Sequence, residues 1–279
     1  MGRLRYGPAG KPITYKGPME LVPGYLREIG LDAFEYEAVR GVRISEEKAR
    51  ELGSNAESND VLVSMHAPYY VNLSSPDRSV WEKSVKRIVE ALIAAEWMGA
   101  YVVVVHTGYY KGNKSRREAL KRAVEGYLKV WEEAPSWVRR PELSPELMGK
   151  TSQLGDLEEV VAICQQVDRC RPTIDWAHLH ARFEGRAVRS VDEILEAIEF
   201  IEKNLGREAV SPLHTHFSKI EYGRGGERMH HTLSEEKYGP EWSIVCKAYR
   251  EAGIDGVIIS ESPILEKDAI FMKKECHER

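Results

Sequence analysis

VLVSMHA at residues 61–67 and YVVVVHTG at residues 101–108 are the two stretches that decide the fold. Each is a nearly unbroken run of apolar, largely β-branched residues, which is typical of parallel strands covered by helices. Each run also contains a histidine at its end, His66 in the first and His106 in the second. The two stretches therefore predict buried parallel strands that carry a polar residue at their carboxyl ends.

Six further apolar runs of similar length extend this pattern along the chain. The eight predicted strands are Leu4–Gly7, Ala33–Glu37, Val61–His66, Tyr101–His106, Glu142–Leu147, Pro172–Asp175, Val210–Phe217 and Gly256–Glu261. Amphipathic periodicity predicts helices between them, over Ser79–Gly99, Ser115–Glu133, Leu157–Asp168, Val191–Asn204 and Trp242–Gly253. Two serines followed by acidic residues, Ser45 and Ser190, predict helix starts.

Strands that alternate with helices indicate βαβ units and a parallel sheet. Eight such units in 279 residues predict an α/β fold, a single (β/α)8 TIM barrel that spans residues 1–279 as one domain. The stretch Lys219–Gly239 lacks clear periodicity, and we expect it to form a long functional loop.

Composition and charge narrow the functional classes. Hydrophobic residues make up 42% of the chain and charged residues 30%, as in a soluble globular enzyme. No apolar run approaches the ~20 residues that span a bilayer, and the N-terminus lacks a secretory segment. We therefore expect a cytoplasmic protein with no membrane partner. A net charge of −4 and a pI near 6.2 do not give the basic footprint that is usual for nucleic-acid-binding domains.

The four cysteines, Cys164, Cys170, Cys246 and Cys276, form no C-x-x-C pair. Their spacing argues against a cysteine-based zinc site, and the expected compartment argues against a disulfide framework. A bridge between Cys164 and Cys170 is left open.

Histidines and carboxylates gather at the carboxyl ends of the predicted strands. Eight of the nine histidines lie at or just beyond a strand end, namely His66, His106, His178, His180, His214, His216, His230 and His231. Glu146, Asp175 and Glu261 occupy equivalent places. In a TIM barrel these ends build the active site, so we expect the side chains to converge there. Imidazoles and carboxylates suit Zn²⁺, with Mn²⁺ or Fe²⁺ as alternatives, and the number of ligands predicts two or three ions.

Each of these residues also has an ordinary structural explanation. A single histidine at a strand end, such as His66, is more often a hydrogen-bonded structural residue, and His180 and His216 could simply line a pocket. Asp175 could fix a loop through backbone N–H groups, and Glu261 could cap a helix. Independent structural histidines would not all gather at one end of a barrel. The joint pattern therefore favours a metal cluster of the kind that hydrolyses phosphate esters.

With these residues the chain resembles the endonuclease IV family of apurinic/apyrimidinic endonucleases, which belongs to the xylose-isomerase-like TIM barrels. The similarity extends from about Gly7 to Pro263. It is densest in SMHAPYYVNL, VVVHTGYY, PELMGKTSQLGDLEEV, IDWAH, LHTHFSKIEY and ISESP. The order and spacing of these motifs together make the resemblance specific, whereas each motif alone would be weak.

The resemblance implies a zinc enzyme, acting as a monomer, that cleaves double-stranded DNA 5′ to abasic sites by metal-activated hydroxide. The implied ligands of the first two ions are His66, His106, Asp175, His214, Glu261 and the bridging Glu146. A third site would combine His178 with His230 or His231, and its ion would stabilise the leaving 3′ oxygen. Glu146 and Glu261 would be the catalytic carboxylates.

Two ligand positions stay open within this resemblance. The His-x-His of LHTHF allows either His214 or His216 to be the ligand, and we prefer His214 because Lys219 then falls where the family has a lysine. The family's third-site motif is Asp-x-His, whereas this chain has ERMHH at residues 227–231. Glu227 would therefore need a shifted loop to coordinate an ion, and the third site could be altered or absent.

Two residues would contact DNA by resemblance. Tyr69 stands three residues after His66, where the family has a loop tyrosine that enters the DNA stack. A role in capping the barrel rim is equally compatible with its position. Arg40, in the loop after the second strand, could serve the family's other DNA-probing role.

The number of ligands separates this activity from two alternatives. A sugar isomerase or epimerase of the same barrel superfamily would use one divalent ion, with Glu146 and Glu261 as paired carboxylates. His66, His106 and His178 would then be surplus. A non-catalytic relative that binds metal or nucleic acid is the third possibility, and the departure from Asp-x-His keeps it open.

Overall fold

All eight predicted strands are present in the computed structural model, which describes residues 2–278. Met1 and Arg279, which the single-domain prediction includes, lie outside the described residues. In chain order the strands are β1 (Leu4–Pro8), β2 (Ala33–Glu37), β3 (Leu62–His66), β4 (Val102–Val105), β5 (Gly108–Tyr109), β6 (Glu142–Pro145), β7 (Gln153–Leu154), β8 (Thr173–Asp175), β9 (Leu213–Phe217), β10 (Lys219–Gly223), β11 (Gly226–His231) and β12 (Gly256–Ser260). The α-helices are α1 (Val22–Glu28), α2 (Glu46–Ser58), α3 (Arg78–Trp97), α4 (Arg116–Glu133), α5 (Leu157–Cys164), α6 (Trp176–Arg182), α7 (Val191–Leu205), α8 (Trp242–Ala252) and α9 (Glu266–Glu278).

Eight of these strands close into a parallel barrel. Strands β1, β12, β9 and β8 form one four-stranded sheet, and β2, β3, β4 and β6 form another. Neighbouring strands within both sheets are parallel. A parallel bridge between Ala9 and Glu35 joins the sheets on one side, and a bridge between Glu146 and Thr173 joins them on the other. The predicted (β/α)8 TIM barrel is therefore confirmed.

The two-residue period of each strand separates the outer face of the barrel from its interior. On β9, Leu213 and Phe217 belong to the apolar core beneath the helices. His214 and His216 point into the barrel, where both contact Glu35 of β2. Inward-facing polar residues of several aligned strands therefore meet inside the barrel and at its carboxyl-end mouth.

Side-chain caps fix where several helices begin. The hydroxyls of Ser45 and Ser190 accept hydrogen bonds from backbone N–H groups in the first turns of α2 and α7, as predicted. Periodicity does not predict α6, because its seven residues are too few to show a helical pattern. This helix directly follows β8, and Asp175 caps it by accepting a 2.7 Å hydrogen bond from the backbone N–H of His178.

The stretch Lys219–Gly239 contains a β-hairpin, so the prediction of a long loop over these residues was wrong. Strands β10 and β11 pair antiparallel and turn at the two residues between Gly223 and Gly226. Gly226 has a φ of +89°, which glycine adopts without strain. The hairpin lies at the barrel mouth and carries polar residues on both strands, which hides the apolar alternation of an ordinary strand pair.

The structure contains two disulfides, although the sequence argued against a disulfide framework. The Cys164–Cys170 bridge that was left open is present, and Cys246–Cys276 joins α8 to α9. Their Cα atoms lie 4.9 and 5.7 Å apart, within the normal range for such bonds. The pairing leaves no free cysteine among the described residues to bind a metal. None of the described helices is both long and apolar enough to cross a membrane.

Candidate metal centre

The carboxyl ends of six barrel strands deliver polar side chains to one cleft. The cleft has a volume of about 280 Å³, and its lining includes Tyr69, His106, Tyr109, Lys150, His178, Glu227, His230 and Glu261. Ligand-type atoms within 4.8 Å of one another form three overlapping groups here: His66–His106–Glu146, Glu146–Asp175–His216–Glu261 and His178–His230–Glu261. A fourth group, Glu35–His214–His216, lies deeper in the barrel. The strand ends thus bring together most of the residues that the sequence singled out.

Glu146, directly after β6, joins the first group to the second. Its Oε2 lies 3.2 Å from His66 Nε2 and 2.9 Å from His106 Nε2. Its Oε1 faces the second group and lies 3.6 Å from His216 Nδ1, and it also lies 3.1 Å from His178 Nδ1 of the third group. Since one carboxylate oxygen faces each group, Glu146 has the geometry of a ligand that bridges two ions.

Several buried atoms of the centre have no hydrogen-bond partner aligned with them. They include Glu146 Oε1, Asp175 Oδ2 and His216 Nδ1, and this His216 nitrogen lies 3.1 Å from Glu261 Oε1. Buried polar atoms without partners are costly, and cations between them would supply the missing interactions. Imidazole nitrogens and carboxylate oxygens are also ligands that Zn²⁺ and Mn²⁺ accept. The side chains present therefore fit a set of divalent ions.

His216, rather than His214, belongs to the second group, which reverses the preference drawn from the sequence. Both side chains point into the barrel because they are two residues apart on β9. His214 lies one layer deeper, where Glu35 and Tyr101 engage its two ring nitrogens. The preference for His214 was based on the position of Lys219 relative to a lysine of the family. Lys219 lies in the hairpin and pairs with Glu241, outside the three groups, so its position does not identify the ligand.

The third group combines residues of α6, the hairpin and the end of β12. His178 Nε2 lies 3.4 Å from Glu227 Oε2, and His230 Nε2 lies 3.8 Å from Glu261 Oε2. The centroids of the two imidazole rings are 5.4 Å apart. Glu227 therefore lies beside this group, so an acidic residue of the hairpin does accompany His178.

A β-bulge explains how Glu227 reaches the third group. Two consecutive residues of β10 pair with Met229 and Glu227 of β11, so Arg228 is an extra residue in the ladder. In a regular strand, Glu227 and His230 would point to opposite faces because they are three residues apart. The extra residue lets both side chains face the cleft, which is the chain shift that the departure from Asp-x-His required.

Besides His214, two of the candidate histidines lie outside the three groups. His231 follows His230 on β11 and points the other way, with its ring 3.7 Å from the ring of Tyr238. His180 donates a hydrogen bond from Nδ1 to the carbonyl oxygen of Ala187. The structure therefore brings His230, not His231, to His178.

Three of the grouped imidazoles are held by contacts of their Nδ1 atoms. The anchoring contacts are His66 Nδ1 to the carbonyl oxygen of Ala67 (2.7 Å), His178 Nδ1 to that of Leu147 (3.0 Å) and His230 Nδ1 to Ser218 Oγ (2.7 Å). A carbonyl oxygen can only accept, so His66 and His178 keep a proton on Nδ1. His66 directs Nε2 to Glu146 and His178 directs Nε2 to Glu227, while His178 Nδ1 also lies 3.1 Å from Glu146 Oε1. This is the usual arrangement of metal-ligating histidines.

Imidazoles and carboxylates of the centre neutralise one another. Burial would raise the pKa of Glu146, but His106 and its neighbours hold that pKa well below its usual range. Burial lowers the pKa of His66, yet Glu37 and Glu146 raise it more, to about 10. Burial also raises the pKa of Asp175 to about 6, against the opposing effect of nearby imidazoles. Cations that enter this centre must therefore displace protons.

Metal affinity is expected to rise with pH for this reason. With a pKa of about 10, His66 carries a proton on each ring nitrogen at neutral pH, and it must lose one to bind an ion. Each proton displaced makes the apparent affinity rise about tenfold per pH unit below that pKa. Chelator competition with Zn²⁺, at several pH values between about 6.5 and about 8.5, measures the slope. An affinity independent of pH would contradict the prediction.

Two inward-facing glutamates of β2, Glu35 and Glu37, were not among the predicted site residues. Glu37 Oε2 accepts a 3.1 Å hydrogen bond from the hydroxyl of Tyr69, and burial raises the pKa of Glu37 to about 7. The signal was present in FEYE at residues 34–37, because acids at alternate positions of a buried strand face the same side.

Tyr69 covers the first group. The centroid of its ring lies 4.8 Å from that of His66 and 5.0 Å from that of His106, and 37% of the residue is exposed. In this conformation Tyr69 caps the rim of the cleft. Arg40 is exposed in the turn that follows β2.

Comparison with known proteins assigns the fold to a family. A family model described as a xylose isomerase-like TIM barrel matches residues 24–274. An uncharacterized protein of Methanocaldococcus jannaschii is 34% identical over 271 residues, which cover 97% of this chain and 96% of that protein. A probable endonuclease 4 of Acholeplasma laidlawii is 28% identical over 195 residues, covering 68% of this chain but 63% of the relative, which is less than two thirds of its length. The resemblance predicted from the motifs is confirmed at the level of the family.

Two solved structures show the same fold. Endonuclease IV from Thermus thermophilus has a TM-score of 0.72 and 23% identity, over 99% of this chain and 100% of that one. A D-tagatose 3-epimerase-like protein has a TM-score of 0.70 and 23% identity, over 92% of this chain and 91% of that one. At such identities the likeness concerns the barrel alone.

Proposed function

The chain belongs to the xylose isomerase-like TIM barrel family, and from that premise we propose that it is a metal-dependent phosphodiesterase that cleaves duplex DNA 5′ to abasic sites. The observation that carries the proposal is the adjoining arrangement of three ligand groups, which share Glu146 and Glu261. Several cations in one cleft suit a displacement in which the attacking and leaving oxygens both need stabilisation. The relative named probable endonuclease 4 supports the same class of substrate.

The ligand groups assign a role to each side chain of the centre. We assign the ligands as His66, His106, Asp175, His178, His216, Glu227 and His230, with Glu146 and Glu261 shared between groups. Zn²⁺ is the preferred occupant, with Mn²⁺ or Fe²⁺ as alternatives. When bound, such ions supply a nucleophile at neutral pH and neutralise charge on the phosphate oxygens.

The chain's own residues orient the substrate around these ligands. Glu146 and Glu261 each belong to two groups, so they fix the groups relative to one another. Lys150 lines the cleft and offers a positive charge to a backbone phosphate. Tyr69 and Tyr109 line the same cleft with partly exposed rings, on which a base or an exposed sugar face can pack.

One observation favours a second candidate function. The four-residue group Glu146–Asp175–His216–Glu261 is by itself a complete ligand set for one ion. A sugar isomerase or epimerase would need that set alone, with the two glutamates moving a proton beside a carbonyl. His66, His106 and His178 then have no role, which is why the phosphodiesterase is the preferred function.

The proposed function is tested with the full chain loaded with Zn²⁺ or Mn²⁺. The substrate is a labelled DNA duplex that contains one tetrahydrofuran abasic analogue. We expect cleavage on the 5′ side of the lesion, a 3′-hydroxyl on the upstream product, and no cleavage of the matched undamaged duplex. Chelation should abolish the cleavage, and returning metal should restore it.

A panel of ketohexoses, incubated with the same preparation, separates the two candidate functions. Cleavage of the lesion-containing duplex with no change in the sugars supports the phosphodiesterase. Sugar epimerisation by metal-replete protein that leaves the duplex intact would overturn the proposal and establish the alternative.

A further inference from the structure

A second layer of polar side chains lies beneath the metal centre, inside the barrel. Glu35 of β2 is at its middle and is fully shielded from solvent. It contacts His214 and His216 of β9 on the opposite sheet and Ser64 of the neighbouring strand β3. A carboxylate so deeply buried is retained only where other polar groups satisfy it.

The two oxygens of Glu35 are engaged in different ways. Oε2 accepts hydrogen bonds from His214 Nε2 (2.9 Å) and from Ser64 Oγ (2.7 Å). Oε1 lies 2.8 Å from His216 Nε2, off the line of a well-aligned hydrogen bond. Among the described residues neither of these two atoms has another hydrogen-bond partner. Glu35 Oε1 and His216 Nε2 are therefore left to interact with one another.

His214 braces Glu35 rather than serving the centre. Its Nδ1 lies 2.6 Å from the hydroxyl of Tyr101, while its Nε2 is directed to Glu35. Both ring nitrogens are therefore engaged below the metal-ligand groups. Ser64 adds a second donor to the same Glu35 oxygen, so Oε2 is anchored and Oε1 is left facing His216.

We propose that Glu35 is a positioning residue, which fixes the tautomer and the ring orientation of His216 for metal binding. The inference rests on the metal centre of the proposed function. With the proton on Nε2, the ring nitrogen 2.8 Å from Glu35 Oε1, Nδ1 keeps its lone pair toward Glu146 and Glu261, 3.6 and 3.1 Å away. A carboxylate behind a ligating imidazole raises the basicity of the ligand and holds its orientation.

The same contacts argue against an ion between Glu35 and the two imidazoles. Their nitrogen–oxygen separations of 2.8 and 2.9 Å are those of direct contacts. Ser64 and His214 already occupy Oε2. An ion bound here would also require His216 to bind metal through both ring nitrogens. The layer therefore orients the centre and does not extend it.

The test measures metal binding in Glu35→Gln, using Co²⁺ for its visible absorption and Zn²⁺ competition for affinity. Glutamine keeps the shape of the side chain, but its amide has only one oxygen that can accept a hydrogen bond, where the carboxylate has two. We expect the affinity for one ion to fall about 10- to 100-fold, with a changed Co²⁺ spectrum and an unchanged number of ions at saturation. Glu266→Gln is the matched control, because Glu266 is equally buried and accepts hydrogen bonds from Ile13 and Thr14 outside the centre. It should bind metal as the unmodified protein does.

Ser64→Ala provides a second and milder test, which also applies if Glu35→Gln does not fold. Removing the hydroxyl takes one donor from Glu35 and should weaken metal binding by a smaller factor. Because Ser64 acts through Glu35, Ser64→Ala should cause no further loss of metal affinity in a protein that already carries Glu35→Gln. Unchanged affinity in a folded Glu35→Gln, or in Ser64→Ala if Glu35→Gln does not fold, would overturn the proposal. Saturation of Glu35→Gln at one ion fewer would do so as well, by making Glu35 a ligand.

These readouts do not depend on the substrate. If the protein fails to cleave lesion-containing DNA while Glu35→Gln still weakens metal binding, the proposed function falls and the positioning role stands. If cleavage is observed and Glu35→Gln binds metal normally, only the positioning role falls.

Discussion

Glu146→Gln is expected to abolish phosphodiester cleavage and to lower the metal content of the protein. Glu146 directs one oxygen to His66 and His106 and the other to the group of His216. An amide nitrogen cannot ligate, so the substitution removes a ligand from one of two ions and weakens the link between them. Several kcal/mol of transition-state stabilisation depend on such ions, which corresponds to roughly a thousandfold loss of turnover or more.

Mass spectrometry of metals in the purified variant, beside the duplex cleavage assay, measures both effects. Glu142→Gln is the matched control, because Glu142 lies at the other end of β6 and its carboxylate bonds Arg171. The control should retain its full metal content and most of its activity. A Glu146→Gln protein with all its ions would show that Glu146 does not bridge, and equal losses in both variants would point to damage to β6.

The second large effect is expected from Glu227→Ala, which tests the third group. Glu227 Oε2 lies 3.4 Å from His178 Nε2. The bulge at Arg228 places the Glu227 side chain in the cleft. Loss of this carboxylate should remove about one ion per chain and lower turnover by roughly 100-fold, as expected for the loss of one source of leaving-group stabilisation.

Glu221→Ala is the control for a general disturbance of the hairpin. Glu221 lies on β10 and pairs with Arg228 across the strands. It should leave the metal content unchanged. Glu227→Asp should recover part of the third ion, since the carboxylate is kept on a shorter side chain. Full metal content and full activity in Glu227→Ala would exclude Glu227 as a ligand and favour a centre of two ions.

The barrel could be predicted from the sequence because its evidence is local. Runs such as VLVSMHA and YVVVVHTG predict a buried strand from a few consecutive residues, and Ser45 and Ser190 predict where two helices begin. The convergence of the strand ends then follows from the closure of the barrel. For this reason the sequence alone predicts that His66, His106 and Glu146 meet.

The choice between His214 and His216 could not be made in the same way. The two residues share one face of β9, and only the height of each residue in the closed barrel separates a metal-facing position from a deeper one. Glu35 escaped notice for a related reason. Its partners come from strands distant in sequence, so no spacing along the chain indicates that it supports His216.

The Cys246–Cys276 disulfide and the hairpin could not be predicted from the sequence, for two different reasons. Cys246 and Cys276 are 30 residues apart on two helices, and only the packing of those helices brings them together. The strands of the hairpin alternate poorly in hydrophobicity because they border a polar cleft.

The single extra residue in β11 has a consequence for how relatives of this protein are found. A pattern search that demands Asp-x-His rejects this chain, although Glu227 and His230 face the same cleft. The extra residue shifts the strand register locally, so that two side chains three residues apart in the sequence lie on the same side of the strand. Searches for such proteins should therefore admit both Asp-x-His and Glu-x-x-His, and should require a glycine turn ahead of the longer form.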